Sequence, residues 1–67
     1  MSAESERLLK IVEELQNKSR EIRALGNEVE AFLKKKNDHT ETTFHSIEHS
    51  IEDEIEILEE IIIPKYS

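Results

Sequence analysis

Cysteine is absent from this 67-residue chain, and glycine and proline occur once each, as Gly26 and Pro64. Without cysteine, neither a disulfide framework nor a cysteine-based zinc site can form. A collagen repeat and a turn-rich all-β domain both need far more glycine and proline, so they are excluded as well. Because so short a chain buries only about 60% of its unfolded surface, we expect one small unit without a large core of its own.

Basic residues are scarce in the second half of the chain. Residues 1–36 contain eight Lys and Arg against seven Asp and Glu, whereas residues 37–67 contain one against nine, and the net charge is −7. Proteins that bind phosphate backbones present basic surfaces, and the cytoplasmic face of a membrane is anionic. We therefore expect neither nucleic acid nor a membrane as a partner.

Long apolar runs are also missing. No apolar stretch approaches the roughly 20 residues that a membrane-spanning helix needs. The chain starts with Met-Ser-Ala-Glu-Ser-Glu, which is polar and acidic, unlike the basic and apolar layout of a signal peptide. These features predict an intracellular protein, either cytoplasmic or nuclear.

The apolar residues that are present have a regular spacing. In the first half they recur at alternating intervals of three and four residues, which is the 3.5-residue period of a left-handed coiled coil. In the second half the period is closer to the 3.6 residues of a straight helix in a bundle. The two stripes predict an interface formed by Leu8, Ile11, Leu15, Lys18, Ile22, Leu25, Val29, Phe32, Phe44, Ile47, Ile51, Ile55, Leu58 and Ile62.

The predicted fold class is all-α, an antiparallel helical hairpin or coiled coil that oligomerises into a helical bundle. One long coiled-coil helix with a stutter near residues 33–43 is the alternative, because no glycine or proline there enforces a reversal. The hairpin would be a single α-helical unit over residues 1–67, with helix 1 at about 4–36, a turn at about 37–40, helix 2 at about 41–63 and a tail at 64–67.

Local signals support these boundaries. Three lysines at 34–36 suit the negative end of helix 1, and Asp38 with Glu41 has the spacing of a capping box for helix 2. Pro64 is expected to end helix 2, since proline clashes with the preceding turn. Gly26 interrupts nothing in the apolar spacing, so we expect helix 1 to be continuous through it, with three helices as the alternative.

A turn near residue 38 would bring specific positions of the two helices together. It places Phe32 opposite Phe44, and it places Lys18, the polar residue within the first stripe, within reach of Glu54. Apolar residues beside the two stripes exceed what one partner helix covers, which favours self-association into a four-helix bundle. These flanking residues are Leu9, Val12, Leu33, Ile57 and Ile63.

The histidines provide the only candidate metal ligands. His45-Ser46-Ile47-Glu48-His49 matches the five-residue H-x-x-E-H pattern of one class of zinc proteases. Those enzymes need a further ligand and a large domain, for which the 18 residues after His49 leave no room. His45, His49 and Glu52 are therefore weak candidates for a metal site on a solvated face. No catalytic residue, cofactor or small-molecule substrate is predicted.

Two functions are consistent with this pattern. The first is a non-enzymatic coiled-coil module for protein–protein interaction, a small self-associating subunit or adaptor of a larger assembly. The second is an acidic helical inhibitor or regulator that binds a basic groove, as a nucleic-acid mimic does. The second arises because Glu59 and Glu60 oppose the dipole at the end of helix 2. We expect basic groups to compensate them, either Arg7 and Lys10 of the same chain or of a second copy, or a basic partner protein.

Overall fold

A computed structural model of the chain describes residues 2–67, which are helical apart from one connector and the two ends and contain no strand. The long helix α1 spans Ala3–Lys35. After the connector, helix α2 spans Phe44–Ile57, a π-helical turn spans Leu58–Ile62, and the short helix α3 spans Ile63–Tyr66. The prediction of an all-helical chain is confirmed.

Both ends of α1 are stabilised by nearby residues. The Ser2 hydroxyl accepts a hydrogen bond from the Ser5 backbone amide at 3.1 Å, which caps the N-terminus. Acidic residues in the first turn and Lys34 and Lys35 in the last complement the helix dipole. α1 is continuous through Gly26, as predicted, so the three-helix alternative is wrong.

Asn37 ends the first helix. Its φ of 55° is the left-handed conformation in which asparagine is more easily placed than most residues. The Asp38 amide then donates to the Leu33 carbonyl at 2.8 Å, and the Asn37 amide donates to the Lys34 carbonyl at 3.1 Å. This pair of bonds is the Schellman motif, which satisfies carbonyls at a helix end. Because the chain leaves the helix here, the single-helix alternative is wrong.

The connector is longer than predicted, and Asp38 acts within it. The Asp38 carboxylate accepts hydrogen bonds from the Thr40 hydroxyl at 2.6 Å and from the Thr40 amide at 2.9 Å. The predicted capping box with Glu41 does not form, since this local turn uses the carboxylate. α2 begins at Phe44, not near residue 41, and its N-cap residue Thr43 makes no side-chain capping bond.

α2, the π-helical turn and α3 follow one another without a break over residues 44–66, and we call them together the second helical segment. Pro64 does not end this segment, contrary to the prediction. The π-helical turn precedes it, and the Ile63 amide donates to the carbonyl of Leu58, five residues earlier. We attribute the passage of the helix through Pro64 to this wider turn, because the proline ring would otherwise clash with the carbonyl four residues before it. Residues 64–66, predicted as a tail, are therefore helical.

The second helical segment runs back along α1. The Arg23 side chain contacts Glu48, and at the far end the Ser2 hydroxyl donates to the Tyr66 carbonyl at 2.8 Å. Phe44 packs against Gly26, not opposite Phe32 as predicted. Phe44 therefore lies six residues, about 9 Å, nearer the start of α1 than predicted. The eight-residue connector explains this shift, because it carries the chain farther back along α1 than a four-residue turn would.

Candidate functional site

All buried positions of α1 belong to a set of three small residues and one valine that faces the second helical segment. Ser5, Val12 and Gly26 are buried and Ser19 is half-buried, and they follow one another at intervals of seven residues. The sequence prediction had placed the neighbouring stripe of large apolar residues, and not these four positions, at the centre of the contact. Relative to that prediction, α1 is rotated by roughly 50° about its axis.

At Gly26 the two helices approach each other closely. A Cβ atom at this position would lie 3.0 Å from both the Cβ and the Cγ of Phe44, inside ordinary van der Waals separation. The glycine has a helical conformation, so its role is to make room for the phenyl ring and not to permit an unusual φ. The sequence prediction found the continuous helix but missed this contact.

One side of the helix pair is charged, and we call it the charged face. Arg23 of α1 lies between two carboxylates of α2, with its Nε 3.3 Å from Glu48 Oε1 and its Nη2 3.9 Å from Glu52 Oε1. The Glu48 side chain is only 10% exposed, whereas that of Arg23 is 62% exposed. Burying a carboxylate is costly without a partner, so Arg23 is what permits Glu48 to lie between the helices.

The opposite side of the helix pair is apolar. Because an α-helix turns about 100° per residue, Leu25 projects on nearly the opposite side of α1 from Arg23. Leu25 and Phe32 are 53% and 58% exposed, and on α2 Ile47 is 42% exposed. The residues of this apolar face are Leu25, Val29, Phe32 and Ile47.

The predicted interface residues divide into two groups in the structure. Nine are buried or half-buried within the chain, namely Leu8, Ile11, Leu15, Ile22, Phe44, Ile51, Ile55, Leu58 and Ile62. The other five are exposed, namely Lys18, Leu25, Val29, Phe32 and Ile47. Four of these five belong to the apolar face. Their contact with another molecule stays a prediction.

Lys18 does not pair with Glu54. Its ammonium lies 3.4 Å from Glu21 on the same helix, and both side chains are more than half exposed. An exposed pair of this spacing stabilises a helix by a few tenths of a kcal/mol. The rotation of α1 explains the difference, because it turns Lys18 away from the contact with α2 and toward the apolar face.

The open end of the helix pair contains a groove. It is lined by Ala3, Glu4, Arg7, Leu8, Ile62 and Tyr66, and we call it the open-end groove. The hydrogen bond between Ser2 and the Tyr66 carbonyl holds the two chain ends together beside it. Helix α3, which exists because the helix continues past Pro64, supplies the tyrosine that forms one wall.

The candidate metal ligands are close together but do not form a larger cluster. His45 and His49 are exposed, with ring centroids 5.6 Å apart in an edge-to-face arrangement. Glu52 points toward Arg23, and Glu48, the base in a zinc-protease motif, is paired with the same arginine. Across residues 2–67 no three His, Asp or Glu side chains are grouped as a metal site would require.

The carboxylate of Asp38 in the connector has a perturbed acidity. The Thr40 hydroxyl, and then the Thr40 amide, hold the pKa of Asp38 below its ordinary value, because both donate hydrogen bonds to the charged form. The group is exposed, and this shift stabilises a turn without forming a reactive centre.

Two further findings concern the chain as a whole. Over residues 2–67, no helix combines the length and the apolar character that crossing a membrane requires. Comparison with protein-family models, curated proteins and solved structures finds no significant match to this chain.

Proposed function

We propose that this chain is a non-enzymatic protein–protein interaction module that self-associates through the apolar face into a helical bundle. The observation that carries the proposal is the exposure of Leu25, Val29 and Phe32 on α1 and of Ile47 on α2. Exposed apolar residues grouped on the side away from the charged face are typical of a protein contact surface.

The size of the internal core supports this proposal. Within the described part of the chain, only two apolar residues, Val12 and Leu58, are buried. The chain of 7.9 kDa exposes 5436 Å² of surface, whereas a globular monomer of that mass exposes roughly 4,400 Å². The excess of roughly 1,000 Å² is comparable to the 800 Å² that each partner contributes to a standard interface.

The acidic-regulator hypothesis remains the second candidate, and one observation favours it. Within residues 2–67 neither Glu59 nor Glu60 forms an ion pair, so Arg7 and Lys10 of the same chain do not compensate them. Both carboxylates are exposed on the acidic half of the chain, where a basic partner could pair with them. Such binding should weaken steeply as salt rises, whereas association through the apolar face should not.

The test uses a substitution that spares the single chain. Leu25 is already exposed, so Leu25→Asp should leave the fold of one chain intact while placing a charge in the proposed contact. Gln16→Asp adds the same charge to the same helix on the charged face and serves as the matched control.

Sedimentation equilibrium across a range of concentrations gives the readout. The unmodified chain and Gln16→Asp should be oligomeric, whereas Leu25→Asp should be monomeric with unchanged helical circular dichroism. A helical chain that stays monomeric at millimolar concentration would rule out self-association. If that monomer bound a basic protein in low salt only, the acidic-regulator hypothesis would replace it.

A further inference from the structure

Phe32 and the open-end groove lie near opposite ends of the molecule. The chain extends 52 Å along its long axis, and Phe32 projects from the last turns of α1, whereas the groove surrounds its first turns. Arg7 in the groove and Leu25 on the apolar face are 18 residues apart, which is five turns of helix, so they project along one line. The exposed ring and the groove therefore lie on the same side of the molecule.

We propose that the occupant of the open-end groove is Phe32 of a second copy of this chain, docked end to end on the apolar face. This inference rests on the proposed self-association and adds the orientation and the main contact. In a dimer with two-fold symmetry each contact occurs twice, so both aromatic rings and both grooves are used. The symmetry axis would pass near Lys18, midway between Glu4 and Phe32.

The chemistry of the two surfaces is complementary. Ala3, Leu8, Ile62 and Tyr66 supply apolar groove walls, and the Arg7 guanidinium can stack on a phenyl ring. The Lys36 ammonium lies 5.9 Å from the centre of the Phe32 ring. It would enter beside the acidic Glu4 of the other copy, so charge as well as shape favours this contact.

The dimensions also suit this arrangement. The broad side of the molecule measures 52 by 15 Å, close to the roughly 800 Å² per partner of a stable interface. Near the axis, each Lys18 has Glu21 at 3.4 Å, which offsets repulsion between the two lysines. A charged residue near the axis discourages registers that would move it against apolar groups such as Leu25.

Spin-label distances test the orientation. The chain has no cysteine, so Lys18→Cys and Lys36→Cys each provide a single attachment site on an exposed residue. The end-to-end dimer predicts a short distance between the two labels at position 18. Labels at position 36 should be about 50 Å apart, since each lies 18 residues from the axis at 1.5 Å per residue.

The outcomes separate this inference from the proposed function. A short distance at both positions would show copies aligned in the same direction and would overturn the end-to-end contact while keeping self-association. Dipolar coupling at neither position would show a monomer and overturn both.

A double-mutant cycle tests the Phe32 contact itself. Phe32→Ala should weaken dimerisation about 1,000-fold, because a two-fold dimer loses two buried aromatic anchors at about 30-fold each, and Ala3→Glu in the groove should also weaken it. If both act on one contact, the double variant should be no weaker than the weaker single variant. Fully additive losses, measured by sedimentation, would place Phe32 elsewhere and overturn the contact.

Discussion

The two sides of this helix pair differ in the chemistry of the residues that border the contact between α1 and α2. On the charged face, Arg23 pairs with Glu48 and Glu52 of α2, and this side remains hydrated. On the apolar face, Leu25, Val29 and Phe32 have no such partner and expose hydrocarbon. Polar groups at the edge of a contact are stable in water, whereas grouped apolar side chains are not. This difference is the basis of the proposal that the apolar face binds a second copy.

The close approach of the helices at Gly26 fixes which residues lie on the charged face and which lie on the apolar face. Gly26→Leu should lower the free energy of unfolding by about 3 kcal/mol, because the added side chain meets Phe44 where a Cβ alone would already be at 3.0 Å. Urea unfolding at a fixed protein concentration measures this. Ala24→Leu, at an exposed position of the same helix, is the control and should change little. Equal stability of the two variants would mean that the helices are not packed at Gly26.

A charge placed on the α2 part of the apolar face should weaken self-association, as is expected for a charge on α1. Ile47→Asp is expected to weaken self-association about 30-fold, since it places a carboxylate in an apolar contact. Ser46→Asp adds the same charge one residue away, on the exposed outer side of α2, and should have no more than a small effect. Equal effects of both variants in sedimentation experiments would show that net charge, and not the apolar face, controls association.

The stability of the chain should depend on Arg23 of the charged face and much less on the carboxylate of Glu52. Arg23→Met should cost about 1–2 kcal/mol, because Glu48 would stay buried without its partner, although the exposure of the arginine limits the loss. Glu52→Gln is the control, with an expected loss below about 0.5 kcal/mol, since the distance to Arg23 is 3.9 Å and both groups are exposed. Arg23→Met combined with Glu48→Leu removes both charges and should recover the lost stability. If it does not, the loss in Arg23→Met does not come from breaking the Arg23–Glu48 pair.

The smallest effect is expected at the connector, far from either face. Thr40→Val removes the hydroxyl donor and should raise the pKa of Asp38 toward its ordinary value, while the backbone amide bond remains. A depressed folded-state pKa stabilises the turn above the unfolded-state pKa, and this stabilisation is lost as pH falls through the folded value. Carboxyl NMR titration of Asp38 measures the change. An unaltered pKa would show that the hydroxyl bond does not form in solution.

Several features of the fold were readable from the sequence because they depend on local chemistry. The apolar spacing predicted two helical segments, and the in-frame stripe across Gly26 predicted a continuous α1. The start of α2 was misjudged, because Asp38 can bond either to a helix N-terminus or to its own loop. The same local evidence did not decide between them. Pro64 was misjudged because a π-helical turn accommodates a proline that an ordinary α-helix does not.

The candidate site was less predictable, because it depends on which part of a broad apolar stripe the partner helix covers. A signal was present in the sequence, since Ser5, Val12, Ser19 and Gly26 repeat every seven residues beside the predicted stripe. Small residues let helices approach closely, but a search for large apolar residues passes over Ser5, Ser19 and Gly26. The role of Glu48 had no such signal, because a glutamate on an amphipathic helix is ordinarily solvated.

The sequence by itself determined that this chain is helical, where its apolar residues concentrate, and that its second half is acidic. Periodicity and composition express these properties within a few turns of chain. Only the tertiary structure decided how far α1 is rotated, which residues α2 covers, and which apolar side chains are left exposed. Those outcomes depend on the length of the connector and on the fit of Phe44 against Gly26, contacts between residues far apart in the chain.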